Sequence, residues 1–218
     1  MKFVKIKNSD EKIQIGKLVC VGKNYTAHAK EMGGDVPTEP MLFLKTATCV
    51  IDSGENVIHP DWSDELHHEI ELVLLIGDTI KDADDAEAET AIAGYAVGLD
   101  MTLRDLQAQF KSKGHPWTLA KVFDTSAVLS EFVSSNDYKL TGSEKLWMTK
   151  NGKMQQETLI SDMVFSPIDL VKFISSRMTL EKGDLIFTGT PEGVSRVVAG
   201  DELAGGVKGI AELKTKIV

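Results

Sequence analysis

Three acidic side chains are the residues whose types and spacing most clearly indicate chemistry. Glu69 and Glu71 lie two apart in the apolar segment HHEIELVLLIG (67–77), and Asp100 ends a second apolar segment, GYAVGLD (94–100). Because side chains alternate between the two faces of a strand, we expect both glutamates on one face. Buried carboxylates are costly unless they are paired or bind a metal. The three acids therefore predict a site for a hard divalent ion, Mg²⁺, Mn²⁺ or Ca²⁺.

Two other interpretations of this segment remain open. His67 has the same strand parity as the two glutamates, so a site that mixes histidine with carboxylate fits the pattern. A solvated strand edge, on which glutamate alternates with aliphatic residues, fits it as well. No second histidine follows at a matching spacing, and Asp100 supplies an acid nearby. Both observations weaken the mixed histidine–carboxylate site.

His28 and Glu31 form a second candidate pair. They lie three residues apart on a helix that we expect over residues 25–32, and this spacing puts both side chains on one helix face. A carboxylate beside an imidazole orients the ring and raises its basicity, as a base that activates water requires. An exposed ion pair is the alternative that the same spacing allows.

Four more polar residues could bind a small anion. Arg104 and Gln107 follow Asp100 and would present a cation and an amide near the metal. Lys121 could bind a substrate carboxylate, although a lysine whose stem covers apolar surface fits its context too. Thr190 lies in the loop TGTPEGV (188–194), whose hydroxyl and backbone N–H groups suit an anionic ligand. No phosphate-loop lysine follows, which argues against a nucleotide and leaves a pocket for a small acid chelated by a metal.

Periodicity and turn signals predict the elements that position these residues. Short strands are expected at 2–7, 12–15, 18–22 and 41–45, with a hairpin over 145–157 that turns at Asn151-Gly152. Besides the helix over 25–32, which Gly33-Gly34 ends, helices are expected at 83–92 and 103–113. Another begins with Ser166 as N-cap and Pro167 in its first turn, burying Ile168, Val171, Phe173 and Ile174. The pattern favours a strand-rich α+β fold with a mixed or antiparallel sheet.

The composition is that of an ordinary globular protein. The chain has 218 residues, of which 42% are hydrophobic and 26% charged, with a net charge of −9. This charge argues against nucleic acid or an anionic membrane surface as the main partner, and the longest apolar run, 72–76, is too short to span a bilayer. Cys20 and Cys49 lie in apolar contexts without a disulfide framework, and the first residues carry no apolar signal core. We therefore expect a cytoplasmic protein.

Six ordered blocks of this sequence resemble the fumarylacetoacetate hydrolase (FAH) domain family, specifically its small single-domain branch of acylpyruvases and oxaloacetate-processing enzymes. The blocks are VGKNYTAHAKEMG, EPMLFLK, HHEIELVLLIG, GYAVGLDMTLRDLQ, GHPWTLAKVFD and GDLIFTGTPEGV. The resemblance divides the chain into a short N-terminal β-ribbon, 1–16, and an FAH-like catalytic domain, 17–218. It implies a rolled β-sandwich with mixed sheets and a few peripheral helices, assembled as a homodimer.

The resemblance also implies roles for matching positions. Mg²⁺ or Mn²⁺ would be bound by three acids, with Ca²⁺ as a substitute in crystals; these acids are Glu69, Glu71 and Asp100. A dyad on a lid helix, His28 and Glu31, would activate water, and the catalytic cation Lys121 would stabilise the developing oxyanion or the leaving enolate. His67 would be a neighbour of the metal site and not a ligand. The substrate would be contacted by Arg104, Gln107 and Thr190. Unlike the founding hydrolase of the family, this chain has no fourth acidic ligand upstream of His28, which agrees with the small branch.

The family implies a hydrolase that cleaves the carbon–carbon bond of a 3-acylpyruvate, of the acetylpyruvate or fumarylpyruvate type, through a metal-stabilised enolate. The substrate would be a small dicarbonyl carboxylate. Three alternatives use the same residues differently. The chain could be an oxaloacetate decarboxylase or tautomerase, or an isomerase of the 2-hydroxyhepta-2,4-diene-1,7-dioate type. It could also be a metal-stabilised binding protein without catalysis, although the full set of acids, dyad and lysine argues against a degenerate site.

Overall fold

Two β-sheets carry most of the fold, and the computed structural model describes residues 1–31 and 33–218. The strands are β1 (Phe3–Val4), β2 (Ile13–Gln14), β3 (Leu18–Gly22), β4 (Met41–Lys45), β5 (Val50–Asp52), β6 (Asn56–Val57), β7 (Leu66–His67), β8 (Ile70–Ile76), β9 (Ile92–Asp100), β10 (Thr102–Leu103), β11 (Ala127–Leu129), β12 (Val133–Ser134), β13 (Lys145–Lys150), β14 (Lys153–Leu159), β15 (Leu185–Phe187), β16 (Glu202–Val207) and β17 (Ala211–Ile217). The helices are α1 (Thr26–Glu31), α2 (Asp85–Ala91), α3 (Arg104–Lys113), α4 (Thr118–Lys121) and α5 (Pro167–Arg177), with 3-10 turns at Ala47–Cys49 and Ile160–Asp162.

The sheets are mixed, as the sequence predicts. The larger sheet has the order β4-β3-β15-β8-β9-β11-β5, with β12 also paired to β9, and the smaller has the order β14-β13-β16-β17-β6. Parallel pairs (β3 with β15, β5 with β11, β6 with β17) occur among antiparallel ones. The central strands β8 and β9 contact β13, β16 and β17, so the two sheets pack face to face. The expected strand-rich α+β class with curled mixed sheets is confirmed.

Strand β8 shows how the pattern builds the core. All seven of its residues are buried, which explains why it is almost continuously apolar. Successive side chains join different apolar clusters: Leu72 and Leu74 pack between the two sheets, whereas Val73 and Leu75 pack on the other face with β3 and β15. Glu71 has the parity of Val73, so its carboxylate is on this second face.

The segment expected to be one strand over 67–77 is interrupted. Strand β7 ends at His67 and pairs with β10, whereas β8 begins at Ile70 and pairs with β9 and β15. Between them His68 is fully buried; its backbone N–H donates to the carbonyl oxygen of Ser195, and its ring contacts the side chains of Ser195 and Gln156. These contacts remove His68 from the sheet ladder, which the alternation of residue types could not reveal.

The helices follow the sequence closely. Ser166 caps α5 reciprocally with Asp169, and Leu170, Val171 and Ile174 are buried on its inner face. Phe173, which we expected on this face, is only half-buried, and the guanidinium of Arg177 lies 5.1 Å from its ring centre. A residue two positions from Val171 points away from it on a helix, so that expectation was wrong.

Near the N-terminus, β1 and β2 form the expected antiparallel ribbon. Its side chains Val4 and Ile13 join the same apolar cluster as Leu18 and Phe132. The helix expected over 25–32 is observed as α1; its last expected residue, Met32, lies outside the described residues. No helix in the described part of the chain combines the length and the apolar character that a membrane crossing needs.

Candidate metal centre and active site

Three buried carboxylates converge at one end of β8 and β9. Glu71 is on β8, Asp100 ends β9, and Glu69 lies just before β8; one oxygen from each lies within 4.8 Å of the others. The pairing of β8 with β9 explains this, because Ile70 is opposite Leu99 and the backbone N–H of Asp100 donates to the carbonyl oxygen of Glu69 at 2.8 Å. The structure thus brings together the three acids that the sequence analysis singled out.

Three cations surround the acids. Lys121 Nζ donates to Glu69 and to Asp100, at 2.7 Å each, and its side chain is only 3% exposed. Arg104 forms an ion pair with Glu69. On the far side Lys45 Nζ lies 3.0 Å from Oδ1 of Asp100. Three formal negative charges are therefore matched by three positive ones.

The cations compensate the negative charge of some acids more than that of others. Burial raises the pKa of Glu71 well above its ordinary value, and the negative charges of Asp100 and Glu69 raise it further. Burial would also raise the pKa of Glu69, but the charges of Lys121 and Arg104 outweigh it and hold that pKa below its ordinary value. Burial would lower the pKa of Lys121, yet its two acidic partners raise it. Glu71 is thus the acid whose charge the protein compensates least.

The donor set fits a hard divalent ion. Oδ1 of Asp100 is fully buried and accepts no hydrogen bond from any described residue, because the nearby amine of Lys45 is close but poorly directed. A buried oxygen with a free lone pair, beside an incompletely compensated Glu71, is a position that a cation would satisfy. All three ligands are carboxylate oxygens, which favour Mg²⁺, Mn²⁺ or Ca²⁺ over softer metals.

The loop 188–194 joins several parts of the site. The backbone N–H of Gly189 donates to Glu71 at 2.7 Å, and that of Gly193 donates to Glu31 at 3.1 Å. Both glycines have positive φ, +97° and +91°. A Cβ atom on Gly193 would lie 2.1 Å from the carbonyl oxygen of Gln155, so only glycine fits there.

The dyad contributes His28 to the same cavity as the acids. His28 Nδ1 is 3.1 Å from Oε2 of Glu31; the histidine is buried, whereas the glutamate is exposed. If Nδ1 carries the hydrogen that Glu31 accepts, Nε2 is the nitrogen left with a free lone pair.

Seven of the nine candidate residues line one cavity: His28, Glu69, Glu71, Arg104, Gln107, Lys121 and Thr190. The other two, Glu31 and Asp100, each contact a residue that does. Arg104 donates to the side-chain oxygen of Gln107 at 2.5 Å, which fixes both groups at the wall. Apolar side chains complete the cavity, among them Phe43 and Trp117, whose rings pack with centroids 5.9 Å apart.

Sequence reasoning missed two buried polar residues at the site, Lys45 and Gln156. Lys45 ends the strand MLFLK; it is buried and donates to Ser126 Oγ at 2.9 Å and to backbone carbonyls. Gln156 is 1% exposed and donates to Thr190; its polar neighbours in sequence, Gln155 and Glu157, gave no signal of this. His67 contacts Glu65 and is not part of the acidic cluster.

Comparison with known proteins identifies one family model and several similar enzymes. A family model described as fumarylacetoacetate (FAA) hydrolase, C-terminal, matches residues 17–218. The mitochondrial oxaloacetate tautomerase FAHD1 of Bos taurus is 43% identical over 200 residues, which cover 92% of this chain and 90% of that protein. Oxaloacetate tautomerase YcgM of Escherichia coli (strain K12) is 42% identical over 192 residues, 87% of each protein.

A solved structure extends the likeness to the whole fold. Fumarylpyruvate hydrolase from Pseudomonas aeruginosa, crystallised in complex with Mn²⁺ and pyruvate, matches this chain with a TM-score of 0.96 and 36% sequence identity. The match covers 100% of this chain and 95% of that one.

Proposed function

The chain belongs to the fumarylacetoacetate hydrolase family, and on that premise we propose that it is a divalent-metal-dependent enzyme that interconverts the keto and enol forms of oxaloacetate. Mg²⁺ or Mn²⁺ is the proposed ion, held by Glu69, Glu71 and Asp100. Support for this reaction, ahead of the acylpyruvate hydrolysis that the sequence first suggested, comes from the curated relatives, which are named oxaloacetate tautomerases.

One observation supports the substrate class: the acids are already matched by cations, so a divalent ion bound there would add uncompensated positive charge. The three acids and three cations around the cluster cancel formally, so a divalent ion leaves a net charge of +2. Two more cations, Lys23 and Lys111, line the same cavity, and neither has an acidic partner within salt-bridge distance among the described residues. This charge suits a dianion such as oxaloacetate better than a monoanion.

The residues divide the work of the reaction as follows. Bound at the three acids, the ion would polarise the 2-oxo group and stabilise negative charge on its oxygen. His28 Nε2 takes a proton from C3 of the substrate, and Glu31 holds the ring in the orientation that leaves Nε2 free. Lys121 and Arg104 stabilise the enolate through their positive charges, and the Lys121 ammonium can donate a proton to the enolate oxygen, which completes the enol. Gln107 and Thr190 orient the substrate carboxylates.

Acylpyruvate hydrolysis is the second candidate, because the same dyad also suits attack by water. His28 Nε2 would then deprotonate a water that adds to the distal carbonyl, and the carbon–carbon bond would break with the enolate as leaving group. The solved neighbour named as a fumarylpyruvate hydrolase supports this candidate. Decarboxylation of oxaloacetate needs the same enolate and is measured in the same assay.

The experiment is a comparison of three substrates with Mn²⁺, with Mg²⁺ and with EDTA. Purified protein is mixed with oxaloacetate, acetylpyruvate or fumarylpyruvate in deuterated water, and NMR follows deuterium incorporation at C3 and release of pyruvate. We expect rapid metal-dependent exchange of oxaloacetate without stoichiometric pyruvate. Pyruvate from acetylpyruvate or fumarylpyruvate would favour the hydrolase instead, and pyruvate from oxaloacetate would favour the decarboxylase. Exchange that persists after removal of all metal would contradict the mechanism.

Assembly and location complete the proposal. A homodimer is supported by the resemblance and by exposed large apolar side chains, among them Leu44, Trp62 and Leu119, and sedimentation velocity tests it. A reducing compartment such as the cytoplasm is supported by Cys20 and Cys49, which are buried free thiols. Microscopy of a C-terminally tagged protein tests the location.

A further inference from the structure

Gln156 makes four contacts that leave its amide a single orientation. The side chain is on β14, is 1% exposed and reaches across to the loop 188–194. Its Nε2 lies 2.8 Å from Thr190 Oγ1 and 2.8 Å from the carbonyl oxygen of Pro191. Its Oε1 lies 3.3 Å from the backbone nitrogen of Ile70. A carbonyl oxygen only accepts and a backbone N–H only donates, so the amide NH₂ must face the loop and the amide oxygen must face β8.

His68 reinforces this orientation from the other side. Its Nδ1 lies 3.0 Å from Oε1 of Gln156, and its Nε2 lies 2.9 Å from the hydroxyl of Ser195. Because Oε1 can only accept, Nδ1 must carry the hydrogen in this contact. Both hydrogens of the Gln156 amide and both lone pairs of its oxygen are therefore engaged, and rotation of the amide would break all of them.

The fixed orientation of the Gln156 amide determines how the Thr190 hydroxyl can form hydrogen bonds. Its hydroxyl oxygen accepts a hydrogen from Gln156, so the hydroxyl hydrogen remains free to donate elsewhere. No described residue accepts it, and Thr190 lines the cavity that also contains Glu71 and Lys121. A donor held in a buried site matches a group that only accepts, such as a carboxylate or an enolate oxygen.

We propose that Gln156 is a positioning residue that fixes the Thr190 hydroxyl as a hydrogen-bond donor toward a carboxylate of the ligand. This inference rests on the proposed function in that Thr190 contacts the substrate. It goes beyond that function by stating that the Thr190 hydroxyl donates to the ligand. It also names Gln156, a residue of the smaller sheet, as the side chain that sets this direction. Gln156 itself does not touch the ligand.

The test is a double-mutant cycle of Gln156→Glu and Thr190→Val. An ionised glutamate keeps the size of Gln156 but can only accept, so the Thr190 hydroxyl would turn to donate to it and away from the ligand. The valine keeps the size of threonine but has no hydroxyl. Binding of pyruvate to Mn²⁺-loaded protein is measured by calorimetry, alongside KM and kcat for oxaloacetate.

We expect each single variant to weaken pyruvate binding and raise KM about tenfold with little change in kcat, the size of one lost charge-assisted hydrogen bond. The double variant should bind no worse than Thr190→Val alone, because the two changes remove the same interaction. Thr190→Ser, which keeps the hydroxyl, should bind nearly as the wild type does. Gln155→Glu, which adds the same charge at the next residue, should have no comparable effect.

Two results would overturn the proposal: unchanged pyruvate binding in Gln156→Glu, or additive losses in the double variant. If Gln156→Glu does not fold, as urea unfolding would show, Gln156→Met replaces it in the cycle and tests the same coupling. Failure of the proposed function would look different, since wild-type protein would then leave oxaloacetate unchanged while the pyruvate-binding cycle could still be measured.

Discussion

The ammonium nitrogen of Lys45 lies 3.0 Å from Oδ1 of Asp100, and neither side chain has any exposed surface. Lys45 also donates to the carbonyl oxygens of Met101 and Ser126, on either side of Lys121 in the sequence. One buried cation therefore holds a proposed metal ligand and the segment that carries a proposed catalytic lysine.

Replacing Lys45 should destabilise the protein strongly. Lys45→Met leaves a buried carboxylate oxygen and several carbonyls without their cation, so we expect the free energy of unfolding in urea to fall by about 3–5 kcal/mol. The matched control is Lys5→Met, which breaks the exposed Lys5–Asp52 pair. That change should cost less than about 1 kcal/mol. Equal effects of the two variants would show that burial of the pair has no energetic importance.

Removal of Glu71 should abolish stabilisation by metal without harming the metal-free fold. Mn²⁺ should raise the thermal midpoint of the wild type, because a ligand that binds only the folded state stabilises it. Glu71→Gln should lose this rise, yet in EDTA it should be at least as stable as wild type, since the carboxylate it removes is opposed by burial and by two like charges. Glu131→Gln, at an exposed acid, should respond to Mn²⁺ as wild type does.

Gly193 should be intolerant of a side chain for a reason that Gly200 does not share. Both have strongly positive φ, +91° and +97°, but only at Gly193 would a Cβ atom meet a backbone oxygen, that of Gln155, at 2.1 Å. Gly193→Ala should shift the loop, break its contact with Glu31 and lower kcat/KM at least tenfold. Gly200→Ala should cost only the backbone strain, about 1–2 kcal/mol of stability, with kcat/KM unchanged. Steady-state kinetics and urea unfolding, measured for both variants, distinguish loss of activity from loss of stability.

The cavity lysines without an acidic partner in the described part of the chain, Lys23 and Lys111, should lower the KM of dianionic substrates only. Lys111→Met removes one positive charge from the cavity wall, so we expect a several-fold higher KM for oxaloacetate. The KM for a monoanion that enolises, such as phenylpyruvate, should change little. Lys113→Met, two residues along α3 and also exposed, is the control. A parallel rise for both substrates would show that Lys111 acts on the fold and not on the second carboxylate.

Glu144 should contribute to stability in a pH-dependent way. Burial would raise its pKa, but hydrogen bonds from the amide and hydroxyl of Thr141 and from Tyr138 hold it below its ordinary value. A carboxyl with a lower pKa in the folded state binds fewer protons when folded, so acid favours unfolding. Its contribution is complete above about pH 4.5, the ordinary pKa, and is lost as the pH falls through the lower folded value.

The variant Glu144→Gln should therefore lose stability at neutral pH but show a shallower decline below pH 4.5 than wild type. Urea unfolding at a series of pH values measures this slope. Glu212→Gln, at an exposed position, should keep the wild-type slope.

Local sequence patterns were sufficient to predict the structure where neighbours in sequence are also neighbours in space. The hairpin at Asn151-Gly152 and the cap at Ser166 both arise from short-range signals. The expectation of one continuous strand through His68 differs from the structure, because that residue is held by partners from distant segments.

Long-range polar contacts were the part that the sequence could not show. Lys45 and Gln156 reach residues 56 and 34 positions away, and nothing in their immediate neighbours distinguishes a buried lysine or glutamine from an exposed one. Their importance depends on which segments the fold brings to them, which only the three-dimensional structure contains.

The wide sequence spacing of the contacts around Lys45 also has a consequence for how the protein folds. Lys45 must meet carbonyl groups 56 and 81 residues away, so this cluster closes only when distant segments have docked. A partly folded chain would have the two glutamates but not the cation that holds Asp100 in place. Metal should therefore bind after the main folding barrier and act chiefly by slowing unfolding.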